Sequence, residues 1–145
     1  MLVVDDNDQF RTVLGELLVD YDIDVAGEGA NGSEAIEMAD HLLPDVIVMD
    51  LRMPGMDGIA AARVIKERQP TVQVIILSAY DDSALRVDAR RAHVHTYIAK
   101  GSDPSLVRDA VMEAFAVKAD LDSGAHGPAG ATAPSPEEEP GPEPG

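Results

Sequence analysis

The sequence places three carboxylates, one hydroxyl and one ammonium directly after short apolar runs: Asp5, Asp6, Asp50, Ser78 and Lys100. If these runs are strands of one parallel sheet, the five side chains meet at the edge where the strands end. Crowded carboxylates repel one another and resist ionisation unless a cation joins them. A hard, oxygen-seeking Mg²⁺ suits such a group. It leaves Asp50 as a nucleophile that an anionic phosphoryl group can approach.

The apolar runs alternate with segments of helical periodicity. The predicted strands are Leu2–Val4, Ile23–Ala26, Val46–Met49, Val72–Leu77 and Thr96–Ala99. The predicted helices cover about residues 10–21, 33–43, 59–69, 82–92 and 104–118, with Ser33 and Asp103 as caps. Continuous Val and Ile runs between helices are typical of a parallel sheet covered on both faces. Right-handed crossovers then favour an open, doubly wound α/β domain of five strands and five helices.

Composition limits the classes of partner. The 145 residues have room for about one domain. The formal charge of −16 argues against binding of DNA or RNA by this segment, because such binding needs clustered Lys and Arg. No apolar run is long enough for a membrane span and no export signal is recognisable, so we expect no membrane contact and a cytoplasmic location.

The composition changes after about Leu121. Residues 122–145 hold six of the ten prolines and five of the twelve glycines, with almost no large apolar side chain. Such a segment buries too little surface to offset its ordering entropy. We therefore predict one domain over residues 1–120 and a disordered tail or linker over residues 121–145.

Five motifs in order resemble the response-regulator receiver family of two-component systems, the CheY-like fold, over about residues 1–120. They are Val3-Val4-Asp5-Asp6, Val46-Ile47-Val48-Met49-Asp50, Met53-Pro54-Gly55-Met56-Asp57-Gly58, Ser78-Ala79, and Tyr97 three residues before Lys100. Gly101 and the run Asp103-Pro104-Ser105-Leu106 are most similar to NarL/FixJ-type receivers, which precede a helix-turn-helix DNA-binding domain. The resemblance implies a flavodoxin-like sheet with strand order 2-1-3-4-5.

The resemblance also implies roles around a bound Mg²⁺. Asp50 would be the phosphoacceptor and a metal ligand. Asp6 would bind the ion directly, and Asp5 mostly through water. Arg52 would offer its backbone carbonyl.

Four further residues would bind the phosphoryl group or respond to it. Ser78 and Lys100 would contact its oxygens, and Ala79 would leave room for it. Tyr97 would change rotamer when Ser78 moves. Arg52 and Tyr80 occupy positions that tune hydrolysis in the family, and their bulk predicts a long-lived phosphoryl state.

By the same resemblance, a sensor histidine kinase would phosphorylate Asp50. The change would alter the face formed by the fourth helix, fifth strand and fifth helix, and so control a partner, an output domain or dimerisation, in transcriptional regulation. The chain would be a switch and not an enzyme acting on a separate substrate. A homodimer could use this face or the fifth helix, through Leu106, Val107, Val111 and Phe115.

Several alternatives remain open from sequence. Asp5 and Asp6 could simply cap the first helix. The domain could be a haloacid-dehalogenase-like phosphatase, a flavodoxin-like cofactor binder or a pseudo-receiver that works unphosphorylated. The chain could be a stand-alone receiver or part of a transcription regulator. His93 and His95 lack a third ligand for a metal, and His93 would need a left-handed conformation to end the fourth helix.

Overall fold

The computed structural model describes residues 1–124, 128–129 and 131–132. The strands are β1 (Leu2–Val4), β2 (Gly27–Gly29), β3 (Val46–Asp50), β4 (Gln73–Ser78) and β5 (Thr96–Ala99). The helices are α1 (Asp8–Asp20), α2 (Gly32–Leu42), α3 (Gly58–Arg68), α4 (Ser83–Arg91) and α5 (Pro104–Ser123). Two short strands, β6 (Pro128–Ala129) and β7 (Ala131–Thr132), form a separate antiparallel pair.

Strands β1 to β5 form one parallel sheet in the order β2-β1-β3-β4-β5. This arrangement confirms the doubly wound α/β class and the strand order 2-1-3-4-5. The order reverses between β1 and β3, so the carboxyl ends of these two strands flank the switch point where ligands bind in such folds.

Helices cover both faces of the sheet. On one face, α1 and α5 pack on side chains such as Val3, Val48 and Ile75. On the other face, α2, α3 and α4 pack on side chains such as Ile47 and Ile76. Because β3 and β4 are buried on both faces, their sequences are continuous apolar runs and not alternating ones.

An Asn or Asp side chain begins each helix of the described region by accepting a backbone N–H bond from the first turn. The caps are Asn7, Asn31, Asp57, Asp82 and Asp103. Asp103 was predicted as a cap, whereas the cap of α2 is Asn31 and not Ser33. Asn7 is the cap of α1, so Asp5 and Asp6 do not have the capping role.

The second strand was predicted wrongly. It comprises Gly27–Gly29, not Ile23–Ala26, and Leu2 pairs with Gly27. Ile23 instead turns back, and its N–H bonds to the carbonyl of Leu18. A Cβ at Gly27 would lie 2.5 Å from the Met38 methyl group, so the missing side chain lets α2 pack closely over this strand.

The last helix is longer than predicted. α5 continues past Lys118 to Ser123 and ends at Gly124, whose φ is 72°. Lys118 and Asp122, one turn apart, lie 2.5 Å from each other and support the extra turn. The remainder of the tail predicted to be disordered lies outside the described residues, except for the β6–β7 pair.

Two of the residues proposed for a dimer through α5 are core residues. Val107 and Val111 pack against the sheet, with Val111 fully buried, so they have no surface to offer a second copy. Leu106 and Met112 are instead about half exposed on this helix. Across the described part of the chain, no helix combines the length and apolar character needed to cross a membrane.

Candidate functional site

Three carboxylates meet at the switch point. Val4 pairs with Met49, so the next residues, Asp5 and Asp50, leave neighbouring strands side by side. One oxygen from each of Asp5, Asp6 and Asp50 lies within 4.8 Å of the other two. The structure therefore brings together the three acids that the sequence predicted to converge.

Backbone contacts hold Asp5 in place. Its own N–H bonds to the carbonyl of Gly29 at 3.0 Å, which extends the β1–β2 pairing by one step. Its Oδ1 accepts the N–H of Asn7 at 2.9 Å, and its carbonyl accepts from Arg11. The carboxylate is 2% exposed, whereas Asp6 is exposed to solvent.

Lys100 reaches across from the end of β5. Its Nζ lies 2.7 Å from Asp5 Oδ2 and 3.5 Å from Asp50 Oδ2. Its backbone N–H bonds to the carbonyl of Ser78 at 2.7 Å, which fixes the start of the side chain. The ammonium also lies 4.2 Å from the centre of the Phe10 ring. This ring, which sequence reasoning treated only as an apolar residue of α1, places a cation–π contact beside the site.

Burial and charge set the ionisation of Asp50. Burial raises the pKa of its carboxyl, and the nearby charge of Asp5 raises it further. Lys100 and the N–H of Leu51 oppose this rise in pKa by stabilising the ionised form. The site thus lacks positive charge for the number of acids it holds, which is the situation that favours a divalent cation.

The loop after Asp50 passes very close to the strand it leaves. A Cβ on Gly58 would lie 2.2 Å from the carbonyl oxygen of Asp50, so only glycine fits there. The Gly58 N–H bonds to the carbonyl of Leu51 at 2.8 Å and closes the loop. Sequence reasoning gave Gly58 no chemistry, but it positions the backbone of Asp50.

Ser78, Tyr80 and Tyr97 form a connected set at the ends of β4 and β5. Ser78 is fully buried, and its Oγ accepts the N–H of Tyr80 at 3.0 Å. The hydroxyl of Tyr97 donates to the carbonyl of Tyr80, and the ring of Tyr97 is buried beneath Arg86. Ala79 lies between Ser78 and Tyr80 and is exposed.

The Tyr80 ring stacks against Arg52, whose Cζ lies 5.0 Å from the ring centre, so these two residues of different loops are neighbours beside the site.

The two histidines near β5 lie apart from the acidic cluster. His93 has φ 62°, which is the left-handed conformation expected for it. His95 contacts Glu113 at 3.2 Å. Neither histidine belongs to a metal-binding group among the described residues.

The acidic cluster fits Mg²⁺. Two ligands of one octahedral ion, each bound at about 2.1 Å, lie roughly 3 to 4 Å apart. The oxygens of Asp5, Asp6 and Asp50 need only small side-chain rotations to reach such spacing, and Asp6 is free to rotate because it is exposed. The carboxylate-only donor set suits a hard cation better than a soft one.

A doubly wound domain with an acidic cluster at its switch point is typical of α/β proteins that bind ligands or regulate other proteins. Comparison with known proteins identifies the family within this class. Residues 1–112 match the response regulator receiver domain family. The chain belongs to this family. Receiver domains are signalling switches that histidine kinases phosphorylate, and they bind Mg²⁺ at an acidic pocket.

Individual relatives are response regulators or chemotaxis proteins, in agreement with the family match. The chemotaxis protein CheY of Thermotoga maritima is 36% identical over 111 residues, which cover 77% of this chain and 92% of that protein. The response regulator VraR of Staphylococcus aureus is 39% identical over 114 residues, covering 78% of this chain but 54% of that protein. The chain therefore spans about half the length of this curated relative.

Solved structures show the same fold. The signal receiver domain of NarL from Mycobacterium tuberculosis superposes with a TM-score of 0.68 at 30% identity, covering 87% of this chain and 95% of that one. A CheY from Borrelia burgdorferi, solved with CheX, BeF₃ and Mg²⁺, has a TM-score of 0.74 at 29% identity, covering 79% and 87%. Family membership favours a receiver over the phosphatase and cofactor-binding alternatives.

Proposed function

We propose that this protein is a phosphorylation switch in which Asp50 accepts a phosphoryl group from a sensor histidine kinase. The observation that carries the proposal is the convergence of Asp5, Asp6 and Asp50 at the switch point, with Lys100 in contact with two of them. In the transfer, an Asp50 carboxylate oxygen forms a bond to phosphorus while the bond from phosphorus to the histidine nitrogen of the kinase breaks. The leaving imidazole keeps the electron pair and takes up a proton.

The acids would hold Mg²⁺, with Asp6 and Asp50 as direct ligands and Asp5 bound mostly through water. The backbone carbonyl of Arg52 would be the remaining protein ligand. When bound, the ion would offset the charge of these acids and of the incoming group. Lys100 would supply a further positive charge to a phosphoryl oxygen, since its ammonium already lies 3.5 Å from Asp50.

The hydroxyl of Ser78 would respond to the new group. It uses a lone pair to accept from Tyr80, and its proton remains available to a phosphoryl oxygen. A shift of Ser78 would move Tyr80, and the Tyr97 hydroxyl is bonded to Tyr80. We infer that this chain of bonds carries the change to the face formed by α4, β5 and α5.

The energy available is adequate for signalling. A tenfold change in partner affinity requires the two states to differ by about 1.4 kcal/mol in binding free energy. One charge-assisted hydrogen bond contributes about 1.5–3 kcal/mol. A single contact from Lys100 or Ser78 is therefore enough to bias the equilibrium tenfold.

The output would be regulation of transcription, because VraR is a response regulator and a structural neighbour at 30% identity is a two-component response regulator of the LuxR family. A homodimer would use the face formed by α4, β5 and α5, or the exposed side of α5, where Leu106 and Met112 are accessible.

Arg52 and Tyr80, stacked beside the site, would shield the acyl phosphate from water and prolong its lifetime.

Acetyl phosphate with Mg²⁺ tests the proposal. We expect the mass of the wild-type protein to increase by one phosphoryl group, and peptide mapping to locate that group at Asp50. Asp50→Asn should show no increase. Asp45→Asn is the matched control, because Asp45 directly precedes the same strand at its other end. Labelling of Asp50→Asn as complete as that of Asp45→Asn would refute the proposal.

A further inference from the structure

A basic groove lies between the ends of α3 and α4, away from the acidic site. It encloses about 530 Å³ and is lined by four side chains that carry or can carry positive charge: Arg63, Lys66, Arg91 and His93. One acid, Glu67, also lines it. This concentration of cations is unusual here, because residues 1–124 contain 23 acids and 11 basic residues.

The cations of the groove lack acidic partners within the described residues. Arg11, Arg68, Arg86 and Arg108 each contact a carboxylate on a neighbouring residue or element. No carboxylate of residues 1–124 lies within salt-bridge distance of Arg63 or Arg91, and both are exposed. The two guanidinium groups that line the groove are therefore available to an anion.

Lys66 adds a third charge deeper in the groove. Its ammonium donates to the carbonyls of Pro70 at 2.7 Å and Val72 at 2.8 Å, which uses two of its three donors. Burial lowers the pKa of Lys66. A carboxylate that binds in the groove would oppose this lowering of the pKa, because its negative charge stabilises the ammonium.

The groove and the end of α5 lie at the same edge of the sheet. Pro70 precedes β4 and His93 precedes β5, so both lie where strands begin. At the end of α5, Lys118 Nζ lies 3.6 Å from Asp45, which precedes β3. The Asp45 carbonyl in turn accepts the N–H of Gln73 at the start of β4. The segment that follows α5 thus starts at the edge that carries the groove.

That following segment contains a run of acids and no Lys or Arg. Glu137, Glu138 and Glu139 are consecutive, and twelve residues separate them from Gly124. If β6, β7 and the residue between them are left out, the seven others can still span up to roughly 23 Å. A domain of this size has a radius of gyration of roughly 14 Å, so the acids can reach the groove.

We propose that the acidic run Glu137–Glu139 docks in the groove lined by Arg63, Lys66, Arg91 and His93 of the same chain. The run supplies three carboxylates to Arg63, Arg91 and Lys66, and arginine pairs well with carboxylates because its planar fork can donate two parallel bonds. The tether makes the contact intramolecular, with an effective concentration on the order of millimolar, so weak individual pairs are sufficient.

Paramagnetic relaxation in the full chain tests this contact. The protein has no cysteine, so Ser135→Cys provides a unique attachment point for a nitroxide two residues before the acidic run. We expect the label to broaden the amide signals of residues 63–67 and 91–93 by at least about twofold at low salt. The broadening should fade above about 0.5 M salt, where charges are screened over a few ångströms.

Charge variants decide between docking and random approach. Arg63→Gln with Arg91→Gln should abolish the broadening, and so should Glu137→Gln with Glu138→Gln and Glu139→Gln. Arg68→Gln is the matched control, because Arg68 lies on α3 but pairs with Asp40 outside the groove, and it should retain the broadening.

Two results would overturn the proposal. One is equal broadening over the whole surface, unchanged by the variants. The other is broadening of an isotope-labelled chain by the nitroxide of a second, unlabelled chain, because that result would assign the contact to another copy.

Discussion

The two edges of the sheet carry sites of opposite charge, and these sites are built by different means. The carboxyl edge collects Asp5, Asp50 and Lys100 in buried or half-buried positions, each held by strand pairing or short hydrogen bonds. The amino edge collects Arg63 and Arg91 in exposed positions on helices. The first edge is preorganised for chemistry on a small ligand, whereas the second offers long side chains that adapt to an extended partner.

The largest effect should come from a side chain added at the carboxyl edge, where the loop after Asp50 is closely packed. Gly58→Ala places a Cβ 2.2 Å from the Asp50 carbonyl, so we expect it to reduce the free energy of unfolding by about 3 kcal/mol. Gly15→Ala is the control, because Gly15 has open space around it on α1 and should stabilise the domain by about 0.5–1 kcal/mol. Urea unfolding of both variants measures the difference. Similar stability of the two would mean that the loop after Asp50 is not closely packed.

Lysine at each edge provides the next comparison. Lys100→Met removes a charge next to Asp5 and Asp50, and we expect phosphoryl uptake from acetyl phosphate to slow by about ten- to hundredfold. Lys118→Met removes a similar charge that contacts Asp45 and Asp122 at the amino edge, and uptake should be unchanged. Initial rates of labelling measure both. Equal slowing by the two variants would argue for a general electrostatic effect.

A smaller effect is expected along β5, which runs from one edge to the other. Tyr97→Phe removes the bond from a buried hydroxyl to the Tyr80 carbonyl and should cost about 1 kcal/mol of stability. His95→Gln alters an exposed contact with Glu113 near the start of the same strand, and should change stability by less than about 0.5 kcal/mol. Thermal unfolding gives both values. A larger loss in His95→Gln than in Tyr97→Phe would contradict this ranking.

Much of the carboxyl edge could be predicted from sequence. Apolar runs that end in polar residues locate β1, β3, β4 and β5, and the parallel topology then requires Asp5, Asp50 and Lys100 to converge. The packing of Phe10 against Lys100 could not be predicted, because it depends on how α1 lies relative to the end of β5. Periodicity identifies Phe10 only as an apolar helix residue.

Features that depend on close approach were missed for a similar reason. The sequence of β2 contains two glycines and one glutamate, so composition suggests a loop. Its strand character follows from pairing with β1 and from Met38 packing where a side chain would otherwise be. The extra turn of α5 was missed because composition changes at Leu121, although Lys118 and Asp122 are spaced to support a helix.

Magnesium binding tests the central claim most directly, since the three acids are proposed to act together on one ion. Calorimetric titration of the wild type should show one Mg²⁺ bound per chain, and Asp6→Asn should weaken the affinity by at least about tenfold, or about 1.4 kcal/mol. Asp8→Asn, which changes an exposed acid two residues away, should bind as the wild type does. No measurable binding to the wild type, or equal weakening by both variants, would contradict the account.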